Sequence, residues 1–244
     1  MMPLDYQLIK TLKRGAGLLS ECSHSSLCGY VKSQMTDNST FKNRAGKEDL
    51  YYTMFGWMLC YVLNIETKRV LRKKFLSDID FDSLDSLHKK VFQQCILLDD
   101  LLSRGIILAA LRHLGEHRHI EEFFGEFERH TVTETLNGTA AGLFTKKKSL
   151  TKTEKAERLM QIASLQDETG GFYQNESAQI PDILSTAVAL FTLSSFGVRA
   201  RYDASDFIEA HFNDDGSFAP NLLDTQSDVE YCFYGVLALG SILK

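Results

Sequence analysis

Three segments of the chain share one pattern: a turn that carries a phenylalanine, an aspartate further on, and then an apolar stretch of helical length. The aspartates are Asp49, Asp182 and Asp228, and a small Thr or Cys follows each of them four residues later. Asp182 and Asp228 are 46 residues apart, and the 133 residues from Asp49 to Asp182 are close to three such periods. This spacing is typical of a repeat protein built from helical hairpins.

The chemistry of this unit explains the recurrence of its residue types. An aspartate at a helix N-cap accepts hydrogen bonds from free N–H groups of the first turn and complements the positive end of the helix dipole. The stretch that follows is apolar nearly all round, which predicts a helix buried on most of its sides. Glycine allows the backbone turn before it, and the phenylalanine is expected to pack that turn against the core.

Polar, amphipathic stretches lie between the apolar ones and are predicted to be outer helices, among them Thr151–Gln166 and Tyr202–Phe212. Weaker copies of the inner unit are predicted at Asp100, as a further N-cap, and within Thr133–Phe144. One inner and one outer helix in each ~45 residues gives five hairpins. The N-terminal helix around Leu4–Leu19 is the candidate for a sixth.

Composition and charge exclude several classes of protein. The net charge of −5 is unlike that of a nucleic-acid binder, which shows a basic face. The basic run Lys146–Lys148 lies among Ser and Thr and is predicted to be a solvated loop. The five cysteines include no close CxxC pair and mostly lie in or beside apolar stretches, which predicts a reduced, cytoplasmic protein. No run approaches the ~20 apolar residues of a membrane span, and no apolar signal core is expected.

The turn Gly170-Gly171-Phe172 and the helix start from Asp182 to Thr186 resemble the prenyltransferase and squalene-cyclase repeat. In that superfamily the inner helices of an α/α toroid surround a central cavity, and members include protein prenyltransferase β subunits and class II terpene cyclases. The resemblance covers Cys28–Leu63 and Leu165–Leu243. It implies an all-α fold, an α/α toroid of five to six helical hairpins, closed or incomplete, with residues 1–244 as a single domain.

The first copy resembles the prenyltransferase β-subunit segment that supplies a diphosphate-binding Arg and Lys, a zinc-binding Asp-x-Cys and a Tyr. The matching positions are Arg44, Lys47, Asp49, Tyr51 and Tyr52. Tyr51 stands where that pattern has its cysteine, and the spacing from Lys47 to Asp49 is one residue shorter. The resemblance therefore implies a diphosphate site in which the zinc-binding thiolate is absent.

The last copy resembles the segment that brings a zinc-binding histidine, but Tyr231 stands at that position. Catalytic zinc sites use three protein ligands, so no zinc is expected here. No cofactor is predicted, with Mg²⁺ on a diphosphate substrate as the alternative. The Asp-x-Asp-Asp acid of class II cyclases is also absent: Asp78–Asp82 has the wrong spacing. Asp99 and Asp100 form only a pair, which is either an N-cap beside a solvated carboxylate or a Mg²⁺ chelate.

Each candidate site residue has a structural alternative. The aspartates either cap helices or lie at a cavity entrance, and the cations either bind phosphate or belong to a solvated turn. The aromatic residues either fill the core or stabilise a carbocation in a cavity. His113 and His117, one helical turn apart, are either a metal pair or part of an exposed loop. The predicted catalytic residues are Asp49, Asp228 and Glu230, and the predicted substrate-binding residues are Arg44, Lys47, Tyr51, Tyr52, Trp57 and Tyr231.

Two functions follow from these features. The first is an enzyme of this superfamily, independent of metal or dependent on Mg²⁺, that transfers or cyclises an apolar isoprenoid, with an isoprenoid diphosphate as one substrate. The second is a non-catalytic toroid that binds a lipid-like ligand, a protein partner or a second copy of itself. The missing zinc ligands and the missing acid motif favour the second.

Overall fold

The computed structural model describes residues 4–105, 135–146, 149–224 and 226–242. This part of the chain contains ten α-helices, a 3₁₀ helix over Phe81–Ser83 and one two-stranded antiparallel sheet. The strands are β1 (Phe41–Lys42) and β2 (Glu48–Asp49). The α-helices are α1 (Leu4–Ala16), α2 (Glu21–Gln34), α3 (Leu50–Leu63), α4 (Arg69–Asp78), α5 (Ser86–Arg104), α6 (Leu136–Thr145), α7 (Lys152–Ser164), α8 (Ile183–Ser195), α9 (Ser205–Ala210) and α10 (Val229–Ile242).

Five apolar helices form a row of neighbours. Helix α6 contacts α8, α8 contacts α10, α10 contacts α3, and α3 contacts α5. The first and last repeats of the sequence therefore lie side by side. Shorter or more polar helices cover the row: α2 lies on α3 and α10, α4 on α5, α7 on α6 and α8, and α9 on α10. The described residues thus have the inner and outer layers predicted for an α/α toroid.

The Phe-bearing turn has one geometry in the repeats. Phe41, Phe172 and Phe218 are at most 1% exposed. The N–H groups of Phe41 and Phe172 each donate, at 2.9 Å, to the threonine hydroxyl that lies four residues after the capping aspartate. A Cβ atom at Gly56 would lie 2.2 Å from the Phe41 ring, and one at Gly235 would lie 2.3 Å from the Phe218 ring. These two glycines therefore provide the space that the rings occupy.

Helix α1 packs outside the hairpin pattern. Gln7 Nε2 donates to Ser195 Oγ at the end of α8 (2.6 Å), and the Arg14 guanidinium donates to the Gly240 carbonyl near the end of α10. Gly15 and Gly240 let the α1 and α10 backbones approach each other, because a Cβ on either would lie 2.0 Å from a carbonyl oxygen of the other helix. Since α1 also contacts α3, it crosses the C-terminal ends of three inner helices and adds no sixth hairpin.

The predicted N-cap at Asp100 is wrong. Helix α5 begins at Ser86, where the Asp85 side chain accepts the His88 N–H, so Asp99 and Asp100 lie in its last turns and are buried. Asp85 provides the capping carboxylate at the start of α5, and the helix continues past Asp99 and Asp100. Burial of Asp99 is tolerated because its carboxylate is paired with Arg72 of α4.

Other local predictions are confirmed. Thr151 and Glu154 form a capping box at the start of α7, and α6 falls within the weak repeat at Thr133–Phe144, with Thr135 as its cap. Helix α9 is shorter than the predicted Tyr202–Phe212. All five cysteines are free, and Cys60, Cys95 and Cys232 are buried.

Two further predictions concern residues outside this description. The histidine cluster around His113 and His117 and the lysines at 147 and 148 lie outside the described residues. Within the described ranges, no helix combines the length and the apolar character needed to cross a membrane.

Candidate functional site at the helix N-termini

The N-terminal ends of the inner helices lie next to one another on one side of the row, and we call this side the mouth. Three of these ends carry the capping residues Asp49, Asp182 and Asp228, whose side chains accept backbone N–H bonds from the first turn of their helices. Backbone hydrogen bonds join the start of α6 to the loop before α8, and the start of α8 to the loop before α10. The predicted caps are confirmed, and the fold brings them together.

Arg44 joins the first repeat to the last. Its Nε donates to Asp228 Oδ2 at 2.9 Å, and a terminal nitrogen donates to the Gln226 carbonyl at 3.1 Å. A second carboxylate, Asp224, lies 3.7 Å away, and the guanidinium carbon is 5.1 Å from the centroid of the Tyr231 ring. Asp228 is only 3% exposed. The positive charge of Arg44 is therefore already matched within the protein.

Lys47 and Trp57 lie apart from this arrangement. Lys47 is exposed. Trp57 is fully buried, and its indole N–H donates to the Ser39 carbonyl at 2.7 Å, so its ring packs in the core. The mouth brings together the other predicted site residues, which are Arg44, Asp49, Tyr51, Tyr52, Asp228, Glu230 and Tyr231.

Glu230 and Tyr51 form a hydrogen-bonded pair across α10 and α3, in which Tyr51 Oη donates to Glu230 Oε1 at 2.7 Å. Burial raises the pKa of Glu230 to about 7, although the Tyr51 hydrogen bond opposes this shift. No hydrogen bond to Glu230 Oε2 is present among the described residues. Because the Asp49 and Asp228 carboxylates are occupied as caps, Glu230 is the predicted catalytic residue best placed to exchange a proton.

Aromatic rings surround this pair and form what we call the aromatic cluster. Neighbouring ring centroids lie 5.0 to 5.8 Å apart, mostly in edge-to-face or tilted contact. Sequence reasoning did not assign Phe55 or Tyr234 to the site. Their spacing of four residues from Tyr51 and from Glu230 is the signal that places them on the same helix faces. The members of the cluster are Tyr51, Tyr52, Phe55, Phe233 and Tyr234.

The mouth is acidic. Burial and, to a smaller extent, the carboxylates of Asp228 and Glu230 raise the pKa of Tyr52 to about 12 against the opposing charge of Arg44. Burial also raises the pKa of Asp182 above its ordinary value, although hydrogen bonds from Ser185 oppose the shift. These shifts show that several carboxylates share a small, partly desolvated region.

Two clefts open in the described residues. A cleft of about 300 Å³ lies beside the mouth and is lined by Lys42, Arg44 and Asp228 among others. A larger cleft of about 510 Å³ lies on the side of the row opposite the mouth, between α1, the start of α2 and the end of α3. Lys13 and Asn64 are among the residues that line it. Both are open and of mixed polarity, so neither resembles an enclosed apolar cavity.

Zinc does not fit the residues present at the mouth. Asp49 accepts two backbone N–H groups, and Tyr51 and Tyr231 present phenols where a thiolate and an imidazole would be needed. Among the described residues, no three His, Cys, Asp or Glu side chains form a group able to hold a metal ion. We therefore derive no step through zinc.

Comparison with known families adds independent information. Residues 135–244 match the model of the prenyltransferase alpha-alpha toroid domain. The match confirms the predicted resemblance. No curated protein matches the chain. The matched segment holds α6, α8 and α10, and the α3 repeat outside it has the same Phe, Asp and Thr geometry as the matched α8 repeat. The toroid architecture thus extends into the first part of the described chain.

The pKa of Glu230 predicts a pH-dependent effect on stability. In the unfolded chain Glu230 ionises near its ordinary value of 4.5, whereas in the folded protein it holds its proton up to about pH 7. Between these values folding binds a proton, so rising pH destabilises the wild type by at most about 1.4 kcal/mol per pH unit. Glu230→Gln lacks this penalty, and its stability relative to wild type should therefore rise through this window and stay level above it.

Urea unfolding followed by circular dichroism from about pH 4.5 to 8 measures this difference. Exposed Glu157→Gln on α7 is the matched control and should follow the wild type. A constant difference between Glu230→Gln and wild type across the window would contradict the raised pKa.

Proposed function

We propose that this chain binds an apolar isoprenoid at the mouth, against the aromatic cluster, and rearranges it by proton transfer at Glu230. The observation that carries the proposal is the Glu230–Tyr51 pair inside the aromatic cluster, at the mouth of a prenyltransferase-type toroid. The toroid match supports an isoprenoid as the ligand class. The acid–base pair supports a reaction that needs neither zinc nor a bound cofactor.

A carboxyl group whose pKa is near 7 exists in both protonation states at neutral pH, which suits a general acid that later acts as a base. Tyr51 holds Oε1, so Oε2 is the oxygen that exchanges the proton. The Tyr51 phenol donates its hydrogen bond to Glu230 in both protonation states of Glu230, because the phenol keeps its own proton at this pH. Tyr51 thus acts as a positioning residue for Glu230.

In the proposed reaction, protonated Glu230 gives its proton to one carbon of a carbon–carbon double bond. The π electron pair becomes the new C–H bond, the other carbon becomes a cation, and Glu230 becomes a carboxylate. A C–H bond next to the cation then gives its electrons to a new double bond, and its proton returns to Glu230. The product is a double-bond isomer, or a ring if a second double bond of the substrate attacks the cation before the proton is lost, and no co-reactant is consumed.

The aromatic cluster is suited to the cation that forms between these two proton transfers. The face of an aromatic ring attracts a cation by about 0.5 to 2 kcal/mol, more when the site excludes water. Phe55 and Phe233 are 5% exposed and bring apolar surface next to the carboxyl group. The same rings exclude the water that would otherwise trap the cation as an alcohol.

Incubation with farnesol or geranylgeraniol in D₂O tests the proposal. Glu230 exchanges its proton with solvent, so each protonation event places deuterium on carbon, and mass spectrometry detects it even when the substrate skeleton is unchanged. We expect deuterium incorporation with the wild type and with Glu157→Gln, a loss with Glu230→Gln, and a decrease with Tyr51→Phe. Thermal stabilisation by either compound, measured in parallel, reports binding.

Binding without deuterium incorporation would overturn the reaction and leave a ligand-binding toroid. Incorporation that persists in Glu230→Gln would overturn the assignment of Glu230 as the acid. The absence of both binding and incorporation would overturn the proposal as a whole.

A further inference from the structure

We infer that the mouth receives a ligand head group that donates hydrogen bonds and carries no negative charge, and that it disfavours a diphosphate. This inference rests on the proposed function and specifies its substrate class as an isoprenoid alcohol, with an isoprenoid amine as a probe of the head-group site. Four features of the mouth carry it: the state of Arg44, the capping of the helix ends, the acceptors that face the cluster, and the positions of the remaining lysines.

The first feature is that Arg44 is already engaged. Its three nitrogens face Asp228, the Gln226 carbonyl and Asp224 at 2.9, 3.1 and 3.7 Å, and its plane lies over Tyr231. A phosphate would compete with Asp228 and Asp224 for this guanidinium. Asp228 is 3% exposed, and a buried carboxylate that loses its partner is strongly destabilising.

The second feature is the charge at the helix ends. Parallel helix N-termini favour anions, because each end carries roughly half a positive charge and free N–H groups. Here Asp49 and Asp182 each place a full negative charge on such an end and accept its N–H groups, and Asp228 caps the third end while it is paired with Arg44. A full charge exceeds roughly half a charge of opposite sign. The capped ends therefore repel an anion instead of binding it.

The third feature is the supply of hydrogen-bond acceptors. Glu230 offers Oε2, which no described group occupies, and the Tyr51 phenol already donates to Oε1. The faces of the aromatic cluster add partial negative charge beside it. An ammonium or hydroxyl group at this point gains a charge-assisted hydrogen bond, whereas a diphosphate presents only acceptors to an acceptor.

The fourth feature is the position of the remaining cations. Lys47 is exposed, and Lys42 lines the 300 Å³ cleft together with Arg44 and Asp228. Neither side chain has a hydrogen bond or an ion pair among the described residues, so neither is held toward the cluster. A diphosphate bound by these two lysines would lie outside the mouth and leave Glu230 without a ligand group.

Three ligands that share one apolar tail isolate the effect of the head group on binding: farnesylamine, farnesol and farnesyl diphosphate. Their Kd values are measured by calorimetry at about pH 8, above the pKa of Glu230, with and without MgCl₂. We expect the amine to bind most tightly and the alcohol next. The diphosphate should bind at least about tenfold more weakly than the alcohol, with or without Mg²⁺.

Two sets of variants assign these differences to residues. Glu230→Gln should weaken the amine more than the alcohol, because it removes the charge that the ammonium group pairs with. Lys42→Ala and Lys47→Ala should leave all three Kd values unchanged. A diphosphate that binds as tightly as the alcohol, or that loses affinity in either lysine variant, would overturn the inference while the proposed function stands. If none of the three ligands binds, the proposed function itself fails.

Discussion

Arg72→Met is expected to destabilise the protein by about 3 to 5 kcal/mol, because it leaves the buried carboxylate of Asp99 without its partner. Arg72 is 1% exposed, and its Nε donates to Asp99 Oδ1 at 2.9 Å. The same guanidinium donates to the hydroxyls of Thr67 and Ser103 at 2.6 and 2.8 Å, and lies 5.9 Å from the Trp57 ring centroid. This network connects α4 to α5, and its loss is a large fraction of the stability of an ordinary domain.

A double-mutant cycle separates the pair from the packing of the arginine side chain. Arg72→Met/Asp99→Leu removes both charges and should recover most of the loss, since an apolar pair of similar volume tolerates burial. Lys74→Met, which breaks the exposed Lys74–Asp78 pair on the same helix, is the control and should have little effect. The single variant Asp99→Leu completes the cycle, and urea unfolding midpoints measure the wild type and all four variants. An Arg72→Met effect as small as that of Lys74→Met would contradict the prediction.

Phe218→Ala is expected to cost about 3 to 5 kcal/mol, because it empties a space that the last repeat is built around. Phe218 is 1% exposed, its ring lies over Gly235, and its centroid is 5.0 Å from that of Phe212. The same turn touches the first repeat, since a Cβ at Gly216 would lie 2.2 Å from the Ser26 carbonyl carbon. Loss of the ring therefore loosens the contact between the last and first repeats as well.

Phe81→Ala is the matched control, because Phe81 is 37% exposed and its truncation leaves no enclosed cavity. Denaturant unfolding followed by fluorescence and circular dichroism gives both values. The prediction is wrong if the two variants differ by less than about 1 kcal/mol, since cavity formation would then be absent at Phe218.

The inner helices could be predicted because their signals are local. A capping aspartate, a threonine or cysteine four residues later and a glycine or alanine three residues after that all lie within two turns of one helix. The false cap at Asp100 shows the limit of this reasoning. Its apolar neighbours resemble an inner-helix start, and only the pairing of Asp99 with Arg72 on another helix explains how the helix continues through buried carboxylates.

The candidate site could be predicted only in part. Sequence reasoning placed Arg44 and Tyr51 near an entrance through the family resemblance, and it left Arg44 as either a phosphate ligand or part of a solvated turn. It grouped Trp57 with the site aromatics, because a helix apolar on all sides gives no signal for which face turns inward. Phe55 and Tyr234 were not assigned, although their spacing was available.

The sequence by itself determined the repeat, the caps, the buried turns and the family resemblance, because each depends on residues close together in the chain or on the pattern they form. Tertiary structure decided the rest. Arg44 meets Asp228 across 184 residues and Tyr51 meets Glu230 across 179. Those contacts exist because α10 packs against α3, which places the last repeat beside the first. That pairing depends on packing between helices far apart in the chain, and no local pattern in the sequence records it.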